Sequence, residues 1–138
     1  MKIRLENLKG FLRDIRGDKA EIFNFEKVSS FERELFLSIQ GVLNEKYDYH
    51  LDGLTNIHLR KFKEYLNKKN VQINGVTENL VEQAFDIYNM ISKRNIYLGY
   101  GSTETKLTIK NEKYEKLTKA IENYINIYEK LQEKIEDI

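Results

Sequence analysis

YEKLTKAIENYINIYEKLQEKI, from Tyr114 to Ile135, places apolar or aromatic residues at Tyr114, Leu117, Ile121, Tyr124, Tyr128, Leu131 and Ile135. The steps alternate between three and four, which is a heptad seam on one face of a long helix. A helix with such a seam must bury it, either in its own domain or against a second copy. With Tyr114, Ile121, Tyr128 and Ile135 as a and Leu117, Tyr124 and Leu131 as d, the flanking e and g positions include Ala120, Ile125 and Ile127. A two-stranded coiled coil carries charges there, so this apolar face is wider than a zipper seam. The reading is a core helix over residues 112–137 that also forms a dimer interface.

Working outward, helix signals dominate a chain with no Pro. Leu5, Leu8, Leu12 and Ile15 share one face of a first amphipathic stretch that Gly17 ends. Asp18 and Glu21 have capping-box spacing, and Phe23 and Phe25 read equally as turn or strand. A second helix is expected from Ser29, with Glu32 completing a capping box, to about Tyr47. Its apolar stripe is Phe31, Leu35, Phe36, Ile39, Val42 and Leu43. A third runs from Leu54 to about Lys69 on Leu59, Phe62 and Leu66. A fourth, capped by Thr77, buries Leu80, Val81, Ala84, Phe85, Tyr88 and Ile91.

The period then changes. Ile96, Leu98 and Tyr100 alternate, as do Thr105, Leu107 and Ile109, with Gly101-Ser102 between them, which reads as a β-hairpin over residues 96–110. The rival reading is a flexible loop. The fold expected is therefore mainly α, a single domain over residues 1–138, with about five bundled helices and one hairpin.

Composition narrows function more by exclusion than by signal. The 138 residues hold 23 bases against 22 acids, a net charge of +1, so any attraction to nucleic acid must be local. There is no Cys, which excludes disulfides and thiolate catalysis. No run of about 18 apolar residues occurs, so neither a leader nor a membrane span is expected, and the expected location is the cytoplasm. Lys, Asn, Ile and Tyr, all with AT-rich codons, supply 54 of the 138 residues. That bias points to a low-GC bacterium or its phages and plasmids.

Two basic concentrations stand out. Lys2, Arg4, Lys9, Arg13 and Arg16 crowd the first helix, and Arg60, Lys61, Lys63, Lys68 and Lys69 crowd the third, there opposed only by Glu64. The third helix is the candidate binding surface for an acidic host protein, a nucleotide or nucleic acid. Tyr65 is placed to stack on a base, and Tyr100 and Ser102 at the hairpin tip complete the surface. Gly99-Tyr-Gly-Ser-Thr103 matches neither a dinucleotide fingerprint nor a P-loop and reads as a turn. Asp48, His50, Asp52 and His58 lack metal-ligand spacing. Ser29, Ser30, Ser38, Ser92 and Ser102 sit in no nucleophile motif. Neither cofactor, metal nor catalytic residue is assigned.

Three helices, a hairpin and a long heptad helix also resemble, in order, a winged-helix DNA-binding domain with a dimerisation helix. The resemblance implies that Phe31–Tyr47, Leu54–Lys69 and Glu78–Arg94 are its three helices and Ile96–Lys110 its wing. The would-be reading helix, however, presents Glu78, Glu82 and Asp86 to the phosphates, which repel it. The leading expectation is a non-catalytic binding protein, a phage or mobile-element accessory factor that inhibits or sequesters a host component, working as a dimer or small oligomer. The competitor is a winged-helix regulator.

Overall fold

A computed structural model describes residues 2–17, 22–91, 97–98, 106–108 and 111–136, and side chains within 3–16, 28–91 and 115–131. The elements in order are α1 (Lys2–Gly17), β1 (Ile22–Asn24), α2 (Phe25–Tyr47), α3 (Asn56–Lys68), α4 (Gly75–Ile91), β2 (Tyr97–Leu98), β3 (Lys106–Thr108) and α5 (Asn111–Glu136). The mainly helical class expected from periodicity is what the chain adopts. No helix among the described residues is long and apolar enough to cross a membrane.

Four helices make the bundle. In the ring α1, α2, α4, α5, each packs against two neighbours, while α3 stands outside it. The α1 and α5 helices run antiparallel. Lys9 pairs with Glu129 and Arg16 with Glu122, so seven residues forward on one helix match seven backward on the other. The core filling this ring is one cluster: Leu8, Phe11, Leu12 and Ile15 from α1, Leu35, Ile39 and Leu43 from α2, Leu80, Ala84, Ile87 and Ile91 from α4, and the α5 seam. Phe11 and Phe31 stack with ring centroids 4.1 Å apart where α1 meets α2.

The α5 seam is consumed inside the chain. Leu117, Ile121, Tyr124, Tyr128 and Leu131 are all buried without any second copy, and Ile125 widens the stripe. This burial accounts for the core half of the reading, since three-four spacing belongs to any helix seated in a bundle. The side chains of Tyr114 and Ile135 lie outside the described residues. Outward, α5 shows Glu115, Lys116, Lys119, Glu122, Asn123, Asn126 and Lys130, a polar face with no apolar stripe among the described residues.

One polar contact crosses the bundle centre. Ser38 on α2 donates to the Leu35 carbonyl at 2.7 Å, and the hydroxyl of fully buried Tyr124 donates to the Ser38 oxygen. Burial holds the Tyr124 hydroxyl well above the usual tyrosine range.

Three local readings change. Helix α2 begins at Phe25 and not at Ser29, because Val28 and Phe31 already lie on its buried face while Ser29 and Ser30 point outward. Thr77 is no cap. Asn74 takes that role, its Oδ1 accepting the Val76 N–H at 2.8 Å and its carbonyl the Glu78 N–H at 2.8 Å. Thr77 is instead buried, and its hydroxyl finds no partner among the described residues.

Within the expected hairpin span of 96–110, only β2 and β3 are described; they pair antiparallel over Tyr97↔Thr108 and Leu98↔Leu107. Strand β3 also pairs antiparallel with β1, Phe23 facing Leu107, so the three short strands are ordered β1-β3-β2. A continuous hairpin over that span is not established by these two register pairs. Its tip, and the Asp18–Glu21 capping pattern, lie outside the described residues.

Candidate functional site

Helix α3 is held at both ends and along one edge, which leaves its outer face free. At its start Thr55 is the N-cap. Nδ1 of His58 accepts the Thr55 backbone N–H at 3.3 Å and lies 2.6 Å from the Thr55 hydroxyl. The ring closes over Gly53, where an added Cβ would sit 2.7 Å from ring Cε1, so a side chain there would displace the imidazole from the Thr55 cap.

At its end Asn70 adopts the left-handed conformation, φ 53°. The Val71 N–H bonds the Leu66 carbonyl at 3.0 Å and the Asn70 N–H bonds the Asn67 carbonyl at 3.1 Å. Together these form a Schellman motif. The chain turns there toward Asn74 and α4, and the Tyr47 hydroxyl accepts the Asn74 N–H at 3.0 Å.

Along the inner edge Phe62 and Leu66 are buried and Leu59 is half-buried. Tyr65 joins them. Its hydroxyl donates to the Tyr47 carbonyl at 2.9 Å and its ring packs on Tyr49, centroids 4.9 Å apart. Tyr49 in turn leans on Phe62 at 5.0 Å, and burial, then the Asp52 carboxylate, raises its hydroxyl pKa. Tyr65 is therefore a clamp on the end of α2, where Asp48 takes φ 51°, and not a free platform for a base. That corrects its stacking role; a partner 18 residues away is invisible to local pattern.

The outer face carries Arg60, Lys61, Lys63, Lys68 and Lys69, all exposed. None of the five has an ion pair among the described residues. The contrast with α1 is direct. There Arg4 meets Glu34 at 2.8 Å, Lys9 meets Glu129 at 3.2 Å and Arg16 meets Glu122 at 2.6 Å. Four of the α3 cations lie within the 13-residue helix, about 20 Å long, and Lys69 at its C-cap; with Glu64 as the one acid among them they form a mainly positive strip. Tyr100 and Ser102, expected to extend this surface, lie outside the described residues.

The remaining candidates disperse. His50 approaches Asp52 at 3.7 Å on the surface, His58 serves the α3 cap, and Asp48 ends α2. Among the described residues no three His, Cys, Asp or Glu side chains converge as a metal site. A surface cleft of about 550 Å³ between α1 and α2 is rimmed by Glu6, Asp14 and Glu34, and Glu34 is taken by Arg4. A second, of about 370 Å³, lies between α3 and α4. Sequence reading missed it because its floor needs the α3–α4 turn to bring Val71 and Val81 together. Comparison with protein-family models, with curated proteins and with solved structures gives no match for this chain.

Proposed function

We propose that this chain is a non-catalytic binding protein, a phage or mobile-element accessory factor, which captures a host protein by an acidic surface through the outer face of α3. One observation carries the reading: five exposed cations on α3 lack carboxylate partners among the described residues, whereas three on α1 are paired. A cation that a neighbouring carboxylate already neutralises contributes little to a partner. An unpaired strip focuses its field and steers an acidic surface into register. The abundance of Lys, Asn, Ile and Tyr, residues with AT-rich codons, is in keeping with a low-GC bacterium or its phages and plasmids as the source.

A protein partner is favoured over a nucleic acid for two reasons. Of the two aromatics among the α3 cations, Phe62 is buried and Tyr65 is engaged by Tyr47 and Tyr49. The adjoining helix α4 shows exposed Glu78, Glu82 and Asp86, which repel a phosphate backbone lying across both helices. The winged-helix reading has the further difficulty that its reading helix, α4, is a bundle member packed against both α2 and α5.

The test is a titration by fluorescence anisotropy with a labelled poly-glutamate peptide of about 20 residues and a random DNA duplex of about 20 base pairs, at low salt. The peptide should bind, weaken with salt, and be lost in a Lys61→Glu/Lys63→Glu variant that keeps its helical circular dichroism. Duplex binding with a steep salt slope, and no peptide binding, would replace this proposal with the DNA-binding one.

A further inference from the structure

The cleft between α3 and α4 adds a second half to this surface. Its floor is apolar, built from Leu59, Phe62, Leu66, Val71, Ile73 and Val81. One wall carries Lys63 and Asn67 from α3, and the other Glu78 and Glu82 from α4. The Schellman turn sets Val71 against this floor, where it stays 43% exposed. Of the large apolar residues left exposed among the described side chains, Ile3, Ile57, Val71 and Val76, it is Val71 that lines this cleft. An apolar floor between walls of opposite charge is a surface suited to contact.

From this we infer that the cleft seats an amphipathic helix of the partner, with its apolar stripe on the floor, an acidic flank along Lys63 and a basic flank along Glu78 and Glu82. The inference rests on the protein-binding reading above. Both walls are helices whose backbone groups bond internally, so they offer no strand edge to an extended peptide. An occupant must satisfy its own backbone, which a helix does. The walls differ in sign, so a uniformly acidic or uniformly basic ligand meets repulsion on one side, and a ligand with one flank of each sign does not. The 13 residues of α3 offer space for three to four turns of such a helix.

The experiment uses the full chain and three dye-labelled peptides of about 16 residues. Each has the same leucine stripe. The flanks are Glu on one side and Lys on the other, Glu on both, or Lys on both. The mixed peptide should bind at least roughly tenfold tighter than either uniform one. Glu78→Lys/Glu82→Lys should switch the preference to the all-Glu peptide. Val71→Asp, at an exposed position, should weaken the mixed peptide by roughly tenfold with an unchanged urea midpoint.

An all-Glu peptide that binds best to the unaltered protein, with a ranking that Glu78→Lys/Glu82→Lys does not change, overturns the cleft and leaves the outer face of α3 as the whole site. Binding of none of the three peptides removes both the cleft and the protein-binding reading.

Discussion

Helices α1 and α3 are both amphipathic and both rich in bases, yet the fold uses them oppositely. In α1, Arg4, Lys9 and Arg16 reach carboxylates on α2 and α5, and Leu8, Phe11, Leu12 and Ile15 fill the bundle. In α3 the buried contribution narrows to Phe62 and Leu66, and four cations, with Lys69 at the C-cap, face outward without an ion pair among the described residues. The difference lies in the neighbours. Helix α1 is flanked by two helices that offer Glu34, Glu122 and Glu129 at matching heights, whereas α3 stands beside the ring. Charge that tertiary contact neutralises belongs to architecture, and charge left over is available to a partner.

The largest effects should come from the apolar anchors. Leu8 is fully buried, so Leu8→Ala should destabilise by about 3–5 kcal/mol in urea unfolding. Leu66→Ala should cost about 2 kcal/mol, because one side of that residue already opens on the cleft. Equal losses would mean that α3 is as much a part of the core as α1.

Next comes the polar contact inside the ring. Ser38→Ala strands the Tyr124 hydroxyl and should cost about 1–3 kcal/mol, whereas Tyr124→Phe leaves Ser38 bonded to Leu35 and should cost less than about 1 kcal/mol. The same pair sets an alkaline limit. The Tyr124 pKa is higher in the folded chain than the ordinary value of 10.0, so its contribution is fully present below pH 10. Above that pH the unfolded chain loses its proton first. Stability should then fall by up to about 1.4 kcal/mol per pH unit for this group. Tyr124→Phe should flatten that part of the pH profile.

The smallest effects are electrostatic. Arg4→Ala, which breaks the half-buried pair with Glu34, should cost up to about 1 kcal/mol. Lys61→Ala and Lys68→Ala should stay within about 0.5 kcal/mol of the parent. A loss at Lys61 matching that at Arg4 would show that α3 cations also stabilise the fold.

Much of the fold was legible in periodicity. Leu8, Leu12 and Ile15, the α2 stripe apart from half-buried Phe36, and the α5 seam from Leu117 to Leu131 are buried as their spacing indicated. The failures have a common cause. Spacing states that a face is covered but not by what, so the α5 seam could not show that α1 and α4 cover it. Ile87 on α4, left out of the expected stripe, is buried with Leu80, Ala84 and Ile91, whose face it shares at three-four spacing. The site was half legible. The α3 cations were visible as composition, but their distinction from those of α1 depends on carboxylates up to 120 positions away in the chain. Tyr65 and Thr77 were misread for the same reason, since the surroundings of each come from distant segments.

A charge-matched pair of variants tests the central claim. Lys61→Gln/Lys68→Gln and Lys9→Gln/Arg16→Gln each remove two positive charges, so the net charge stays equal between them. Anisotropy titration with the acidic peptide should show binding weakened roughly tenfold by the first pair and nearly unchanged by the second. Equal weakening by both would mean that the peptide senses only overall charge, and would contradict the assignment of α3 as the docking face.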